Sequence, residues 1–365
     1  MIASEHRTAG KQPKAEQSNA EVAAADQRLS EDITGNRLAG DLVANPLAGR
    51  DFLRLLDLSP VEFQLVLTTA AELKRRWRET TLIGPNQISS ASQAVAVILE
   101  KPSMRTRVSF ERAIARLGAQ PIILADANSA FSRGESLQDT ILVLERYVDA
   151  LVVRSFAQSR LEEMAHWASI PVINALTDDF HPCQGLADFL TIQENFQQLR
   201  GLKLAYLGDG ANNMAHTYLE GGALAGMTVA LATPPDYQPH PRYLAEAASV
   251  AAQTGASLQV TDSPAEALQG AQVVITDAWA SMGFEAEHEQ RRQALQPYQV
   301  TAASLRQAAP EAIFLHCLPA HRGEEVTDEV MDASYSRVYD EAENRLHAQQ
   351  ALLQLLMNIS FYNMC

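Results

Sequence analysis

The chain is poor in the features that would tie it to a disulfide scaffold, a membrane or a nucleic acid. Its 365 residues hold three cysteines, Cys183, Cys317 and Cys365. So small and odd a number makes no disulfide framework and suits a reducing cytoplasm, the expected location. No run approaches the ~20 apolar residues of a membrane span, so no membrane partner is expected. Basic residues are outnumbered, 29 Lys and Arg against 44 Asp and Glu, giving a net charge of −15. That balance speaks against general nucleic-acid binding, which needs a basic face. The first 46 residues lack the apolar stretch of a secretory signal. Glu5, Glu16, Glu21, Asp26, Glu31 and Asp32 are too many acids for an ordinary transit peptide. Residues 1–46 therefore read as a disordered or loosely attached extension. No internal repeat with a period of about 20–50 residues is visible.

Hydrophobic residues make up 47% of the chain, enough for two cores at this length. Ser59-Pro60-Val61-Glu62 is a capping box with Pro at the first helical position, and predicts a helix to about Arg76. Apolar runs at 94–99, 121–124, 150–153 and 171–173 then alternate with amphipathic stretches near 104–117, 135–147 and 159–168. A second series runs through 203–207, 228–232, 257–260, 273–276 and 313–315. Helical stretches accompany it near 183–197, 213–225, 242–254 and 326–332, and an amphipathic segment follows at 343–359. This rhythm predicts an α/β fold of two domains, each a parallel β-sheet flanked by helices. The expected division is 47–180, joined by a C-terminal helix at 343–365 packing back across the boundary, and 181–342. In open α/β sheets ligands bind beyond the carboxyl ends of strands, and the polar motifs fall at those ends.

Ser103-Met104-Arg105-Thr106-Arg107 follows the first run and opens a helix. Free backbone N–H groups, the positive dipole end, hydroxyls and a guanidinium fork make an anion site there, for a phosphate or carboxylate. The plain alternative is a solvated basic helix start. An acidic protein that binds an anion needs a local positive pocket, which gives Arg154, at the end of the 150–153 run, and Arg345 the same reading. Around Arg345 the alternative is a charged, solvated helix face. His181-Pro182-Cys183-Gln184 sets a His and a Gln at a helix start, where both can donate to one carbonyl or phosphate oxygen; a helix-capping His is the alternative. Gly208-Asp209-Gly210-Ala211-Asn212-Asn213 lacks the third Gly of a dinucleotide fingerprint, and the next strand ends without the acid that holds a ribose. Its paired Asn side chains suit an amino-acid carboxylate or amide. Asp277, at another strand end, can hold a substrate ammonium and Ser281 can add a hydroxyl, or Asp277 can cap the next helix. His316-Cys317-Leu318-Pro319-Ala320-His321 leaves three readings open. As a zinc site it lacks paired spacing and a third ligand nearby. As a thiol nucleophile it lacks local signatures. The third reading makes Cys317 a partner to a substrate amine.

In this order the motifs resemble the ornithine carbamoyltransferase family, among the aspartate/ornithine transcarbamylases, from about Leu47 onward. The resemblance implies that Ser103, Met104, Arg105, Thr106, Arg154, His181, Gln184, Cys317, Leu318 and Arg345 hold carbamoyl phosphate. It implies that Asn213, Asp277, Ser281 and Met282 hold L-ornithine, with Arg105, His181 and Cys317 at the chemistry. It also implies a homotrimer or a multiple of trimers. No metal or cofactor is expected, because the bond to be cleaved is already activated. One position departs from the pattern: between Asp126 and Glu135 the family carries a Gln, and Ala130 stands there. Competing readings are a transcarbamylase for putrescine, aspartate or an acetylated ornithine, and a non-catalytic α/β ligand-binding protein.

Overall fold

Strands that are apolar on both faces leave little choice of architecture, since such a sheet must be covered by helices on both sides. The computed structural model describes residues 45–79, 93–124, 134–279 and 288–359. Helix α1 (Pro60–Glu79) precedes a first sheet. That sheet consists of β1 (Ala94–Leu99), β2 (Gln120–Leu124), β3 (Ala150–Arg154) and β4 (Val172–Leu176). The helices between them are α2 (Met104–Arg116), α3 (Leu137–Leu144) and α4 (Gln158–Trp167). Helix α5 (Pro182–Phe196) leads to a second sheet, in which β5 (Lys203–Leu207), α6 (Asn213–Ala225), β6 (Thr228–Ala232), α7 (Pro241–Thr254) and β7 (Ser257–Thr261) follow one another. After α8 (Pro264–Leu268) come β8 (Val273–Ile275), α9 (His288–Leu295), α10 (Ala302–Leu305), β9 (Ile313–Leu315), α11 (Asp328–Met331) and α12 (Val338–Leu356). Every pairing is parallel, in the orders β2-β1-β3-β4 and β7-β6-β5-β8-β9. Among the described residues no helix is long and apolar enough to cross a membrane.

The two-residue period of each strand divides the core into layers. Val95, Val97 and Leu99 of β1, Ala150 and Val152 of β3, and Leu204 and Tyr206 of β5 belong to one continuous core shared with α1, α5, α6 and α12. Ala96 and Ile98 of β1 and Leu151 and Val153 of β3 face a second cluster under α3 and α4. Ala205 and Leu207 of β5 with Val274 of β8 face a third. The first core joins the two sheets, and α12 packs back onto α1, α2 and α5, as the sequence predicts for the last helix. Helices α5 and α6 approach so closely that a Cβ on Gly221 would stand 2.0 Å from the Phe189 ring, so only glycine fits there. Glu220 beside it is buried and binds Arg54 and the Leu55 and Leu56 amides, fastening the segment before α1 to the second sheet's first helix.

All nine apolar runs are strands, and most ends fall within two residues of expectation. The fourth extends to Leu176 because Asn174 interrupts the apolar run. Its side chain is buried and donates to the Leu53 carbonyl at 2.8 Å, so a polar residue sits within a buried strand. Helix α12 begins at Val338 rather than 343, since Glu341, which reads as solvated, is fully buried. Helices α8, α9 and α10, of 5, 8 and 4 residues, are too short to show a period and go unforeseen. Of the extension expected at 1–46, residues 1–44 lie outside the described residues, and Asn45 is tied to α12 through the Leu355 carbonyl.

Candidate active site

Each sheet reverses its winding direction once, between β1 and β3 in the first and between β5 and β8 in the second. Such switch points open a crevice at the carboxyl ends of the strands. Here the two crevices open into one cleft of about 750 Å³. Ser103, Met104, Arg105, Arg154, His181 and Arg345 line one side. Asn213, Asp277, Cys317 and Leu318 line the other.

The first side is positive. Ser103 caps α2, its Oγ accepting from the Thr106 amide at 3.2 Å, which leaves the Met104 and Arg105 amides at the open helix end. Parallel register sets Arg154 opposite Leu99, level with the β1 terminus. Thr106 is fully buried, and its Oγ1 accepts from Arg345 Nη2 at 2.7 Å and from Arg154 Nη1 at 3.5 Å. Arg345 also donates to Gln184 Oε1 at 3.2 Å. Three guanidinium groups thus converge on one helix end. Among the described residues none of the three forms an ion pair with a carboxylate, and the Nε atoms of Arg154 and Arg345 are buried without a hydrogen-bond partner. Burial and the charges of Arg345 and Arg105 bring the Arg154 pKa down to about 10. His181 precedes α5 but caps nothing, and its buried Nδ1 has no hydrogen-bond partner. Burial, then Arg345, Arg154 and Arg105, hold its pKa well below the ordinary value, so the ring is neutral. The solvated alternatives for Arg345 and the capping alternative for His181 do not hold. Arg107 points outward and pairs with Glu111 at 3.7 Å.

The second side is neutral to acidic. Cys317 Sγ donates to Asp277 Oδ1 at 3.2 Å. Burial and the charges of Asp277 and Glu341 raise the Cys317 pKa well above the ordinary value. It is a protonated thiol, which counts against the nucleophile reading. The zinc reading's objection fails on one point: Asp277, His316 and Cys317 each bring a ligand atom within 4.8 Å of the others. Both His316 nitrogens are engaged, however, Nδ1 by the Leu318 amide at 2.9 Å and Nε2 by Glu325 at 3.0 Å. Leu318 stands at φ 58° and lines the cleft. Asn213 donates to the Thr177 carbonyl at 2.7 Å, while Asn212 caps α6 and donates to Tyr206 and Asp277. The glycine loop holds no space for a pyrophosphate at Gly210: a Cβ there would meet the Tyr237 carbonyl at 2.7 Å. Ser281, Met282 and Ala130 lie outside the described residues.

Several contributors escape sequence reasoning. Behind Arg345, Gln184 Nε2 donates to Asp188 Oδ1 at 2.7 Å and to Glu341 Oε1 at 3.0 Å. Tyr218 donates to Asp188, and the His316 amide donates to Glu341 Oε2 at 2.8 Å. The two carboxyls are fully buried and bonded to each other, so they share a proton. Burial leads in raising both, Asp188 to about 7. Lys101 pairs with Asp178 beneath the Phe156 ring, and Arg291 pairs with Asp209 at 2.5 Å across the second crevice. Only a buried carboxylate on each of α5 and α12 could have signalled the first group. Both carboxylates look like solvated helix acids in sequence.

Comparison with known proteins divides the chain between residues 194 and 200, which leaves Arg345 of the anion side in the second match. The family description "Aspartate/ornithine carbamoyltransferase, carbamoyl-P binding domain" matches residues 50–194, and "Aspartate/ornithine carbamoyltransferase, Asp/Orn binding domain" matches 200–356. The ornithine carbamoyltransferase of Gloeobacter violaceus is 53% identical over 307 residues, 84% of this chain and 95% of that protein. That of Mycolicibacterium gilvum is 51% identical over 312 residues, 85% of this chain and 99% of that protein. Among solved structures, ornithine carbamoyltransferase from Pyrococcus furiosus superimposes with a TM-score of 0.80 at 45% identity, covering 86% of this chain and 98% of that one.

Proposed function

The chain belongs to the aspartate/ornithine carbamoyltransferase family, and from that premise we propose that it transfers the carbamoyl group of carbamoyl phosphate to the δ-amine of L-ornithine, giving L-citrulline and phosphate. One observation carries the reading: a pole of three arginines, with no carboxylate ion pair among the described residues, faces an Asp277–Cys317 pair across a single cleft. Arg105, Arg154, Arg345 and the α2 amides hold the phosphate and stabilise it as it leaves. Ser103, Thr106, Gln184 and Leu318 complete that side. Arg105, Thr106 and neutral His181 donate to the carbonyl oxygen as it becomes an oxyanion. An imidazole kept neutral here donates a hydrogen bond without adding a fourth positive charge. The δ-nitrogen must shed a proton to attack, its free pKa being about 10. A cationic, partly dry site lowers that value, and Cys317 and Asp277 orient the amine. The C–N bond forms, a tetrahedral intermediate collapses, the C–O bond breaks and phosphate departs with the bonding electrons. The nitrogen's proton passes to a phosphate oxygen. Orientation and fixed charge supply most of the acceleration.

Asn213, Asp277, Ser281 and Met282 take the α-amino and α-carboxylate groups of ornithine. Putrescine has neither, and aspartate calls for cationic contacts where Asp277 stands. Both described cysteines are free thiols, which fits a reducing cytoplasm. A trimer is supported by large apolar side chains left bare at both ends of the first sheet, among them Met104 at 74% exposure beside the anion side and Tyr147 at 72% before β3. Light scattering at three chain masses would support it, and a monomer mass would refute it. The function is tested by supplying purified protein with carbamoyl phosphate and, separately, L-ornithine, putrescine, N-acetylornithine and aspartate. Citrulline from ornithine is expected. Absence of any carbamoylated amine makes the protein a binding module.

A further inference from the structure

Outside the catalytic groups, a second set of ligating side chains gathers at the rim of the cleft. His321, Glu324 and Glu325 follow β9, and each brings one ligand atom within 4.8 Å of the others. His288, the first residue of α9, stands with Nε2 3.1 Å from Glu324 Oε2. Glu325 supplies an independent sign that something is to be bound. Its side chain is fully buried, and Oε1 accepts from His316 Nε2 at 3.0 Å and the His321 amide at 2.6 Å. Oε2 is buried too and accepts nothing. His321 Nδ1, at 3.8 Å, is too far for a hydrogen bond. A buried carboxylate oxygen with no donor is costly, and a cation before it removes the cost.

We propose that His288, His321, Glu324 and Glu325 form a site for a zinc-type divalent cation at the edge of the cleft. Two carboxylates and two imidazoles give an N2O2 donor set without thiolate, matched to a borderline dication rather than to calcium or magnesium. The charge balances, two negative against two positive. Arg292, on the same helix as His288, is engaged with Glu289 at 2.9 Å and leaves Glu324 to the ion. Bond lengths of about 2.0–2.2 Å set tetrahedral ligands ~3.4 Å apart, so His321, Glu324 and Glu325 have to close in from within 4.8 Å of one another, and His288, outside that group, has to swing in from its place beside Glu324. His321 and His288 are exposed enough to make that movement, with side-chain exposures of 44% and 43%. Bound metal ties the start of α9 to the segment after β9, two stretches of the acceptor side.

The test uses the full chain, first treated with a chelator. Zn²⁺ binding is measured by calorimetry and Co²⁺ binding by absorption, in the wild type and in His321→Ala, Glu324→Gln and Cys317→Ser. One equivalent is expected, with no thiolate-to-cobalt charge-transfer band. Affinity should fall at least ~10-fold in His321→Ala and Glu324→Gln, as loss of metal-site contacts does elsewhere, and persist in Cys317→Ser. His321 is exposed and Glu324 half-buried at the surface, so neither change removes a core contact, which circular dichroism checks. No binding in the wild type overturns the proposal. A thiolate band with loss in Cys317→Ser also does, since it moves the cation to the cleft thiol. None of these readings depends on turnover, so failure here is distinct from failure of carbamoyl transfer.

Discussion

At the carboxyl ends of β1 and β3 stand Arg105 and Arg154; at those of β8 and β9 stand Asp277 and Cys317. The two crevices share their construction: a central strand, a capped helix following it and a reversal of winding beside it. Their electrostatics are opposed. The first holds three guanidinium groups that repel one another and, among the described residues, form no ion pair with a carboxylate, a charge that an anion relieves. In the second the facing side chains are already engaged, Cys317 with Asp277 and Asn213 with Thr177. Topology therefore fixes where ligands go, and a few side chains at strand ends fix which ligand each crevice accepts. The positive side supplies most of the driving force. The acceptor side selects, by exchanging existing hydrogen bonds for those of the amine.

The sharpest way to break this contrast is to remove charge from the first side. Arg105→Ala should lower turnover at least ~100-fold, the usual loss when a transition-state donor is removed, while far-UV circular dichroism stays native. Near-wild-type turnover would end the role given to Arg105. The corresponding change on the acceptor side should be milder and selective. Asp277→Asn should raise the ornithine Michaelis constant at least ~10-fold, with a smaller change for carbamoyl phosphate, because an ammonium loses its charged partner. Equal shifts in the two saturation curves would make Asp277 a structural residue.

The Asp188–Glu341 pair underlies both sides, touching Gln184 on one and the His316 amide on the other. Its titration gives a stability test. Burial raises the Asp188 pKa from about 3.9 unfolded to about 7. Between those values the native state binds more protons than the unfolded state, so stability falls as pH rises through that window. Asp188→Asn should flatten the fall, by at most ~1.4 kcal/mol per pH unit, in denaturant curves taken at pH 4.5, 5.5 and 6.5. An unchanged slope would place the shared proton elsewhere.

Legibility in the sequence followed periodicity and position. Strands show as apolar runs, and Ser103, Arg105 and Arg154 fall at their ends, where α/β folds bind ligands, so the anion side could be read directly. Arg345 reads in sequence either as an anion fork or as part of a solvated helix face, and the family resemblance alone chose between them. In sequence it sits among Asp340, Glu341 and Glu343, and only packing of α12 against α2 and α5 turns it inward. Asp188 and Glu341 were invisible for the same reason: a buried helix acid has the local pattern of a solvated one until its neighbours are known. Asn212 and Asn213 were read as one pair, yet one caps a helix and the other spans to the preceding domain's last loop. Charge type is local information, whereas partnership is tertiary.

The smallest effect is expected from the segment that belongs to neither side. Residues 1–46 lack the apolar periodicity to build a core, and every matched motif lies at or after Ser103. The chain's contacts with α12 are in place by Asn45, whose side chain donates to the Leu355 carbonyl at 2.6 Å. They continue at Leu47, which is fully buried, and at Gly49, whose amide donates to Leu356. A cut just before Asn45 therefore leaves these anchors whole. The shortened chain should turn over within about 2-fold of the full chain, since surface changes away from packed features rarely exceed ~0.5 kcal/mol. Citrulline formation per site and the mass in solution should be measured together. A changed mass at an unchanged rate would give the extension a part in assembly. A lost rate would bring it into the cleft and add a third region to the two compared here.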